Sequence, residues 1–561
     1  MRLVCTILFL CVTLAGMAGA QPPPAELVDH FFDDVYFKFN PTIGTSDGFH
    51  QYDAQLEDYS KTAMNARVKA LQDAEREFAK LPEDPDRDLI LNSIRASLLD
   101  LQQIRTWEKN PDIYSSGVTN SIFVIMSRTF APPAERLQSL IARERQFPAV
   151  FAAARANLKN PPRIYTQVAI EQLPGIVSFF QHDVPDAFKQ VTDSKLLAEF
   201  QESNGMAIDI LKSYQGFLEK DLLPRSHGDF RLGAARYRKK LLYEEMVDIP
   251  LDKLLDIGMA DLRKNQRAFA ETAAKIDPSK TPQQILDQAT HDHPAPDHLL
   301  QSFRDLLGGL KDYIIAHNII TIPSPVLPIL EESPPFMRAL TTASMDTPGP
   351  YEKVAKEAFF NVTLPEPSWT PEHVEEYMQA FSRGNNVGTA VHEVYPGHYV
   401  QFLWMQNITS KVRKLLGANS NSEGWAHYCE QMMQDEGYGN GDLKLRLGQL
   451  QDALLRDARY VVGIEMHTGH MTYEQGIDFF VKEGYQTHAI GEVETKRGTS
   501  DPTYLYYTLG KLEILKLRAD YKKMRGSAFT LEEFHNRFMR EGTPPIKIVR
   551  KALLGNDSPV L

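Results

Sequence analysis

The strongest constraint on the fold is a series of helix-start signals spread along the chain. A threonine followed by proline, or by glutamine or glutamate three positions later, caps the first turn of a helix and satisfies backbone N–H groups left free there. Four threonines carry such signals: Thr281, Thr370, Thr472 and Thr530. Amphipathic patterns with helical spacing recur over four ranges: 62–80, 135–157, 195–220 and 251–275. The sequence therefore predicts a mainly α fold.

Strand signals are few, and the clearest is Phe359-Phe360-Asn361-Val362-Thr363, which Leu364-Pro365 ends. The sequence changes character over residues 321–350, which hold seven prolines. Proline at this density blocks regular helix. We interpret residues 321–350 as a connection between an amino-terminal helical region, 21–320, and a carboxy-terminal region, 351–561. The pattern leaves open whether the two regions share one core.

Residues 1–20 have the pattern of a secretory signal peptide. Arg2 gives a positive start, residues 3–14 are almost wholly apolar, and Ala18-Gly19-Ala20 matches a small-x-small cleavage pattern. An uncleaved membrane anchor is the alternative, but the apolar run is short for a spanning helix. We therefore predict a secreted or periplasmic protein with no stable membrane insertion after cleavage.

Charge and cysteine content limit which partners the protein can bind and which kinds of metal site it can form. The formal net charge is −12, and no basic stripe appears, so the sequence indicates no nucleic acid partner. Cys5 and Cys11 leave with the predicted signal peptide. Cys429 is then the only cysteine, which excludes an internal disulfide and gives no support to a thiolate metal site.

The segment that carries chemistry is Val391-His392-Glu393-Val394-Tyr395-Pro396-Gly397-His398. In many zinc peptidases two histidines at i and i+4 of one helix bind the metal, and the glutamate after the first activates water. Here the histidines are six residues apart, so on a regular helix their rings would point about 120° apart. Pro396 and Gly397 distort a helix, and we expect a two-residue bulge that returns His398 toward His392.

A third ligand is expected downstream in Asn421-Ser422-Glu423-Gly424-Trp425-Ala426-His427-Tyr428-Cys429-Glu430. Glu423, His427 and Glu430 share one helix face at i, i+4 and i+7. Glu423 is the candidate ligand, and Glu430 or His427 is placed to hydrogen-bond a ligand histidine. Two histidines and one carboxylate favour zinc, although manganese, cobalt or iron also accept this set.

These two motifs together resemble the signature of a large, mainly bacterial family known as a domain of unknown function. The resemblance runs from about Arg231 to Arg518. In the arrangement of its motif residues, that family is similar to the gluzincin metallopeptidases, which include angiotensin-converting enzyme, thimet oligopeptidase and dipeptidyl peptidase III. The resemblance implies a large helical fold with a deep central cleft and one zinc ion per chain. The implied site residues are three ligands and a general base: His392, His398 and Glu423, with Glu393.

Two further positions match the family pattern in part. The family carries a histidine before a Trp-Thr helix start, where His467 matches but Met471 replaces the tryptophan. It also carries a Ser-Tyr-x-x-Gly segment, in which Tyr507 matches and Tyr506 replaces the serine. The resemblance makes His467 and Tyr507 candidates to donate a hydrogen bond to negative charge that develops on a substrate carbonyl.

The resemblance implies an exported zinc-dependent peptidase that hydrolyses short peptides. We expect the stretch 359–364 to pair its backbone with an extended substrate. Two alternatives stay open: a metal-dependent hydrolase of non-peptide amides or esters, and a non-catalytic exported binding protein. The intact Glu393 speaks against the binding protein, because a site that only binds metal needs no general base.

Overall fold

The computed structural model describes residues 22–333, 338 and 342–561, and within these residues nearly all regular structure is helical. The predicted mainly α class with a few short strands is confirmed. The predicted signal peptide, 1–20, lies outside the described residues. In the described part of the chain, no helix is both long and apolar enough to cross a membrane.

The helices before the proline-rich stretch have the following bounds: α1 Ala25–His30, α2 Phe37–Phe39, α3 Pro41–Ser46, α4 Lys61–Phe78, α5 Pro85–Leu99, α6 Thr106–Lys109, α7 Asp112–Met126, α8 Pro133–Glu144, α9 Phe147–Asn157, α10 Arg163–Ser178, α11 Val184–Ala187, α12 Ser194–Phe217, α13 Ala234–Glu244, α14 Leu251–Ile276, α15 Pro282–Thr290 and α16 Leu299–Ala316. The pattern over 135–157 forms two helices instead of one. Pro148 stands in the first turn of α9, where its missing N–H costs no helical hydrogen bond.

The helices after that stretch have the following bounds: α17 Pro371–Met378, α18 Arg383–Glu393, α19 His398–Met405, α20 Lys411–Leu415, α21 Asn419–Asp435, α22 Leu443–Thr468, α23 Tyr473–Lys482, α24 His488–Ser500, α25 Tyr506–Arg525, α26 Leu531–Met539 and α27 Ile546–Leu554. All four predicted caps form, because each threonine hydroxyl accepts a backbone N–H of the first turn. At Thr281 and Thr472 the reciprocal glutamine bond completes a capping box.

A three-stranded sheet consists of β1 Ile329–Glu332, β2 Ala343–Asp346 and β3 Phe359–Val362. Strand β3 confirms the predicted strand, and it lies between a parallel β1 and an antiparallel β2. Strands β1 and β2 form within the proline-rich stretch, where none was predicted. The prediction that 359–364 pairs with a peptide substrate is wrong, because both edges of β3 are already hydrogen-bonded to neighbouring strands.

The largest hydrophobic cluster surrounds the helices that carry the motifs. It joins Phe303 of α16 and Phe360 of β3 to Trp425 of α21 and Ile514 of α25, all fully buried. Helix α14 packs along α22, and α16 packs against α18. Helices from both sides of the proline-rich stretch therefore pack around the candidate site, while the boundaries drawn at 320 and 350 stay predictions.

Candidate metal centre

The first motif is divided between two helices, and this division brings its histidines together. Helix α18 ends at Glu393 and α19 begins at His398, so the expected bulge within one helix is instead a complete break. The Gly397 N–H donates to the carbonyl of Val391 at 3.0 Å, which folds the connection back on α18. A side chain at Gly397 would place its Cβ 1.8 Å from the His392 carbonyl oxygen. As a result, the rings of His392 and His398 lie 4.8 Å apart and perpendicular.

Glu423 of α21 completes a group of three candidate ligands. Its Oε2 lies 3.3 Å from Nε2 of His392 and 3.5 Å from Nε2 of His398. One ligand atom from each of the three residues lies within 4.8 Å of the others. Bonds of about 2.0–2.2 Å in a tetrahedral zinc site put ligand atoms roughly 3.3–3.5 Å apart. The residues present therefore fit a zinc ion.

The environment of Glu423 also suits a cation. Its Oε2 is buried and has no hydrogen-bond partner of acceptable geometry among the described residues. Burial would raise the pKa of Glu423, but His392 and His398 hold that pKa well below its usual range. Burial would lower the pKa of His392, yet Glu423 and Glu430 hold it well above its usual range. The group thus carries a carboxylate that shares protons with its histidines, and a metal ion would compete for the same lone pairs.

Two contacts fix Glu423 relative to the break between α18 and α19. The indole Nε1 of the neighbouring Trp425 donates to the Pro396 carbonyl at 2.9 Å, and Trp425 is fully buried. On the other side of α21, the helix α25 comes very close, because a Cβ at Gly424 would lie 2.5 Å from the Cα of Gly510. Glu423 therefore projects from a helix that is held on both sides.

Glu430 lies behind the first ligand. Its Oε1 accepts a hydrogen bond from Nδ1 of His392 at 2.7 Å, and its Oε2 accepts one from Nδ1 of His427 at 3.1 Å. Arg456 of α22 approaches the same Oε1 at 3.1 Å. Burial would raise the pKa of Glu430, but Arg456 and the two histidines hold it well below its usual range. Burial lowers the pKa of His427 to about 3, so this residue is neutral.

Glu393, the candidate general base, is partly exposed at the end of α18. Its Oε2 accepts the backbone N–H of Met345 at 3.0 Å. Met345 belongs to β2, one of the two edge strands of the sheet. The sheet thus contributes to the site by orienting Glu393, a contact that the sequence did not predict.

Tyr507 lies beside the metal ligands. Its ring centroid is 6.5 Å from that of His392, and its hydroxyl accepts a hydrogen bond from Arg497 at 3.4 Å. Arg456, Arg459 and Arg497 all approach the Tyr507 ring, at 5.7, 5.0 and 5.8 Å from its centroid. None of these arginines was predicted from the sequence as part of the site. The available signal for two of them was the run Arg456-Asp457-Ala458-Arg459, which puts three charges within about one helical turn, so that a buried helix must pair them.

The structure does not bring His467 to this group. It lies eleven residues after Arg456 on α22, roughly 16 Å further along the helix. The ring is fully buried between Phe230 and Tyr237, and its Nε2 bonds the Gly498 carbonyl at 2.7 Å. Burial lowers its pKa to about 4. These contacts place His467 in the packing between α22 and α24.

The fold and site define a mainly helical protein with a candidate centre for one divalent metal ion. The model of the family described as "Bacterial protein of unknown function (DUF885)" matches residues 41–553, and the chain belongs to that family. The predicted membership of a bacterial family of unknown function is therefore confirmed. No curated protein matches the chain.

Two solved structures are similar over almost their whole length. A "putative lipoprotein of unknown function" from Shewanella oneidensis is 26% identical, with a TM-score of 0.80, covering 94% of this chain and 99% of its own. A "putative lipoprotein" from Colwellia psychrerythraea is 18% identical, with a TM-score of 0.79, covering 94% of this chain and 98% of its own. The second likeness shows the fold alone.

Proposed function

We propose that this protein is an exported zinc-dependent peptidase that hydrolyses short peptides. The observation that carries the proposal is the convergence of His392, His398 and Glu423 at distances suited to zinc, with Glu393 directly after the first histidine. This is also the ligand and base set of the gluzincin metallopeptidases, to which we propose a relationship. When bound, zinc would supply a Lewis acid that lowers the pKa of a water molecule and polarises a carbonyl.

Glu393 is the proposed general base. Its Oε2 is held by the Met345 N–H, while no partner is recorded for Oε1 among the described residues, so that oxygen can accept a proton from water. The water oxygen then bonds to the substrate carbonyl carbon, and the C–N bond breaks. Glu393 passes its proton to the leaving nitrogen, which gives a carboxylate and an amine as products.

Tyr507 is the proposed donor to the carbonyl oxygen as negative charge develops there. Its ring is close to His392, and Arg497 bonds its hydroxyl oxygen, which leaves the hydroxyl hydrogen free to turn toward a substrate. An extended peptide would pass beside β2, because Met345 of this edge strand contacts Glu393. This assignment replaces the stretch 359–364.

Export is supported by two observations. Residues 1–20 have the composition of a signal peptide, and the similar solved structure from Shewanella oneidensis is described as a putative lipoprotein. A peptidase outside the cytoplasm would have short or unfolded peptides within reach. Peptide size is proposed by analogy with the resembled oligopeptidases.

The test is elemental analysis of the purified protein beside a digest of mixed short peptides. We expect about one zinc per chain and cleavage that a chelator abolishes and added zinc restores. Glu423→Ala should lose the metal, whereas Glu393→Gln should keep zinc and lose cleavage. Wild-type protein that neither retains nor takes up zinc would contradict the proposal and favour the binding-protein alternative.

A parallel panel of esters and non-peptide amides separates the remaining alternative. The three ligands and Glu393 specify activated water and not the acyl group that it attacks. Zinc-dependent hydrolysis of esters or non-peptide amides, with no peptide cleaved, would replace the peptidase assignment. A higher kcat/KM for peptides than for esters and non-peptide amides would support the peptidase assignment.

A further inference from the structure

A cluster of three arginines lies beside the candidate metal centre, on the side of Tyr507. Arg456 and Arg459 come from α22, and Arg497 comes from the last turn of α24. All three guanidinium groups lie within 5.0 to 5.8 Å of the Tyr507 ring centroid. Arg456 holds Glu430 and Arg497 bonds the Tyr507 hydroxyl, but the proposed hydrolytic chemistry does not explain why three positive charges gather here.

Two of the three arginines are largely buried and paired with carboxylates. Arg459 holds Glu494 through two hydrogen bonds, at 2.6 and 2.8 Å. Arg456 is held by Glu430 at 3.1 Å and by Asp452 at 3.8 Å. Their side chains are 10% and 13% exposed. Both guanidinium groups are thus paired with carboxylates and largely shielded from solvent.

Arg497 differs from its neighbours in both exposure and bonding. Its side chain is 36% exposed. Its recorded bonds all come from Nη2, which contacts Asp501 at 3.2 Å and the hydroxyls of Tyr506 and Tyr507 at 3.2 and 3.4 Å. No partner is recorded for Nε or Nη1 among the residues that the structure describes. Arg497 is therefore held in place and keeps N–H groups for an external acceptor.

The distance from Arg497 to the metal ligands suits a particular acceptor. Its guanidinium carbon is 5.8 Å from the Tyr507 ring centroid, which is 6.5 Å from the His392 ring centroid. The separation from His392 cannot exceed the sum of these two distances. Because an extended peptide advances about 3.3–3.6 Å per residue, one to three residues beyond the cleaved bond span this separation. A guanidinium group matches a carboxylate in shape and charge.

We propose that Arg497 binds the free α-carboxylate of the substrate, so that the protein removes fragments of one to three residues from the carboxyl ends of peptides. This inference rests on the proposed function and adds its substrate class. Arg497 would then select peptides with an ionised carboxyl terminus and set where the bond is cut.

The test uses one peptide sequence in two forms, a free acid and a carboxy-terminal amide, with the zinc-loaded protein. We expect the free acid to be cleaved with at least about tenfold higher kcat/KM, with short carboxy-terminal fragments found by mass spectrometry. Arg497→Gln should bring the ratio of kcat/KM for the free acid to that for the amide down from at least about tenfold to about one. The ratio is the readout because the lost bond to the Tyr507 hydroxyl acts on both substrates alike. Arg497→Lys should fall between, since it keeps the charge without the planar fork.

Lys496→Gln is the matched control. It removes one positive charge from the same helix, but Lys496 bonds Glu171 at 2.9 Å at the surface, so both substrates should be cleaved as by wild type. Zinc content and thermal unfolding of Arg497→Gln should match wild type, which separates lost recognition from lost folding. Titration of both peptides into the inactive Glu393→Gln variant gives a readout of binding without turnover, and the free acid should bind more tightly.

The outcomes separate the two proposals. Zinc-bound wild type that cleaves acid and amide equally, or an Arg497→Gln variant that loses both equally, overturns the assignment of Arg497 and leaves the peptidase intact. Cleavage far from the carboxyl end would also overturn the assignment of Arg497 and leave the peptidase proposal intact. A wild-type protein that holds zinc and cleaves neither peptide overturns both.

Discussion

The Nδ1 atom of His392 lies 2.7 Å from Oε1 of Glu430, on the opposite side of the ring from Glu423. Because an ionised carboxylate can only accept, Nδ1 carries the hydrogen, and Nε2 is left to offer its lone pair to a metal. Arg456 and His427 hold the two oxygens of Glu430 in turn. One buried carboxylate therefore sets both the orientation and the tautomer of the first candidate ligand.

We expect Glu430→Gln to lower the affinity for zinc about 10- to 100-fold, as is usual when the partner of a ligand histidine is changed. The amide keeps the shape of the side chain but loses the charge that orients His392. The measurement is competition for zinc against a chromogenic chelator. Glu436→Gln is the control, since this residue lies just beyond the end of α21 and bonds Arg518 at 2.5 Å. Equal zinc affinity in wild type and Glu430→Gln would contradict the role given to Glu430.

We expect Gly397→Ala to lose zinc and to unfold at a lower temperature. The added Cβ would lie 1.8 Å from the His392 carbonyl oxygen, so the break must open and carry His398 away from His392. Gly308→Ala is the control, because a Cβ there meets no atom within 4 Å on α16. That change should leave zinc binding intact and alter the free energy of unfolding by no more than about 1 kcal/mol, in the stabilising direction. A Gly397→Ala protein with normal zinc content would show that the break tolerates a side chain.

The extent to which sequence predicted this site depends on how local each feature is. Glu423 and Glu430 are seven residues apart and therefore share one face of α21, which can be read directly from the sequence. Pro396 and Gly397 indicated a distortion, yet the full break depends on where the Gly397 N–H finds an acceptor, and that is Val391 on the preceding helix. The three arginines around Tyr507 come from two helices far apart in sequence, so no motif joins them.

The same distinction holds for the fold. Helix starts are local events, and each of the four threonine caps is predicted from two to four residues. Strands β1 and β2 are stabilised by pairing with β3, and β2 is also stabilised by the contact of Met345 with Glu393. Neither β3 nor Glu393 is a sequence neighbour of these strands. Proline-rich composition therefore hid two strands that only tertiary pairing specifies.

We expect Tyr507→Phe to lower kcat about 100-fold with little change in KM or zinc content, which is the effect of losing one donor to a developing oxyanion. Steady-state kinetics on a short peptide provides the measurement. Tyr506→Phe is the control: its neighbouring hydroxyl donates to Asp501 at 3.0 Å, so kcat should change no more than about threefold, well short of a lost oxyanion donor. If both variants lose kcat equally, the loss comes from disturbing the arginine cluster and Tyr507 is not the donor.

Glu144 gives a prediction about stability that is independent of the metal centre. It is fully buried in the amino-terminal helices, Ser203 donates to its Oε2 at 2.5 Å, and burial raises its pKa from 4.5 to about 8. The folded protein thus keeps this carboxyl protonated at neutral pH while the unfolded chain ionises it, so the free energy of unfolding falls as pH rises from 4.5 to 8, by roughly 3–5 kcal/mol in total. In Glu144→Gln the side chain cannot ionise, and this part of the pH dependence should disappear. Urea unfolding of both proteins at pH 5, 7 and 9 measures it, with Glu199→Gln, a surface partner of Arg145, as the control. The variant should gain on wild type from pH 5 to pH 8, with most of the gain present at pH 7 and little added above pH 8. Parallel curves would mean that Glu144 ionises in the folded protein as readily as in the unfolded chain.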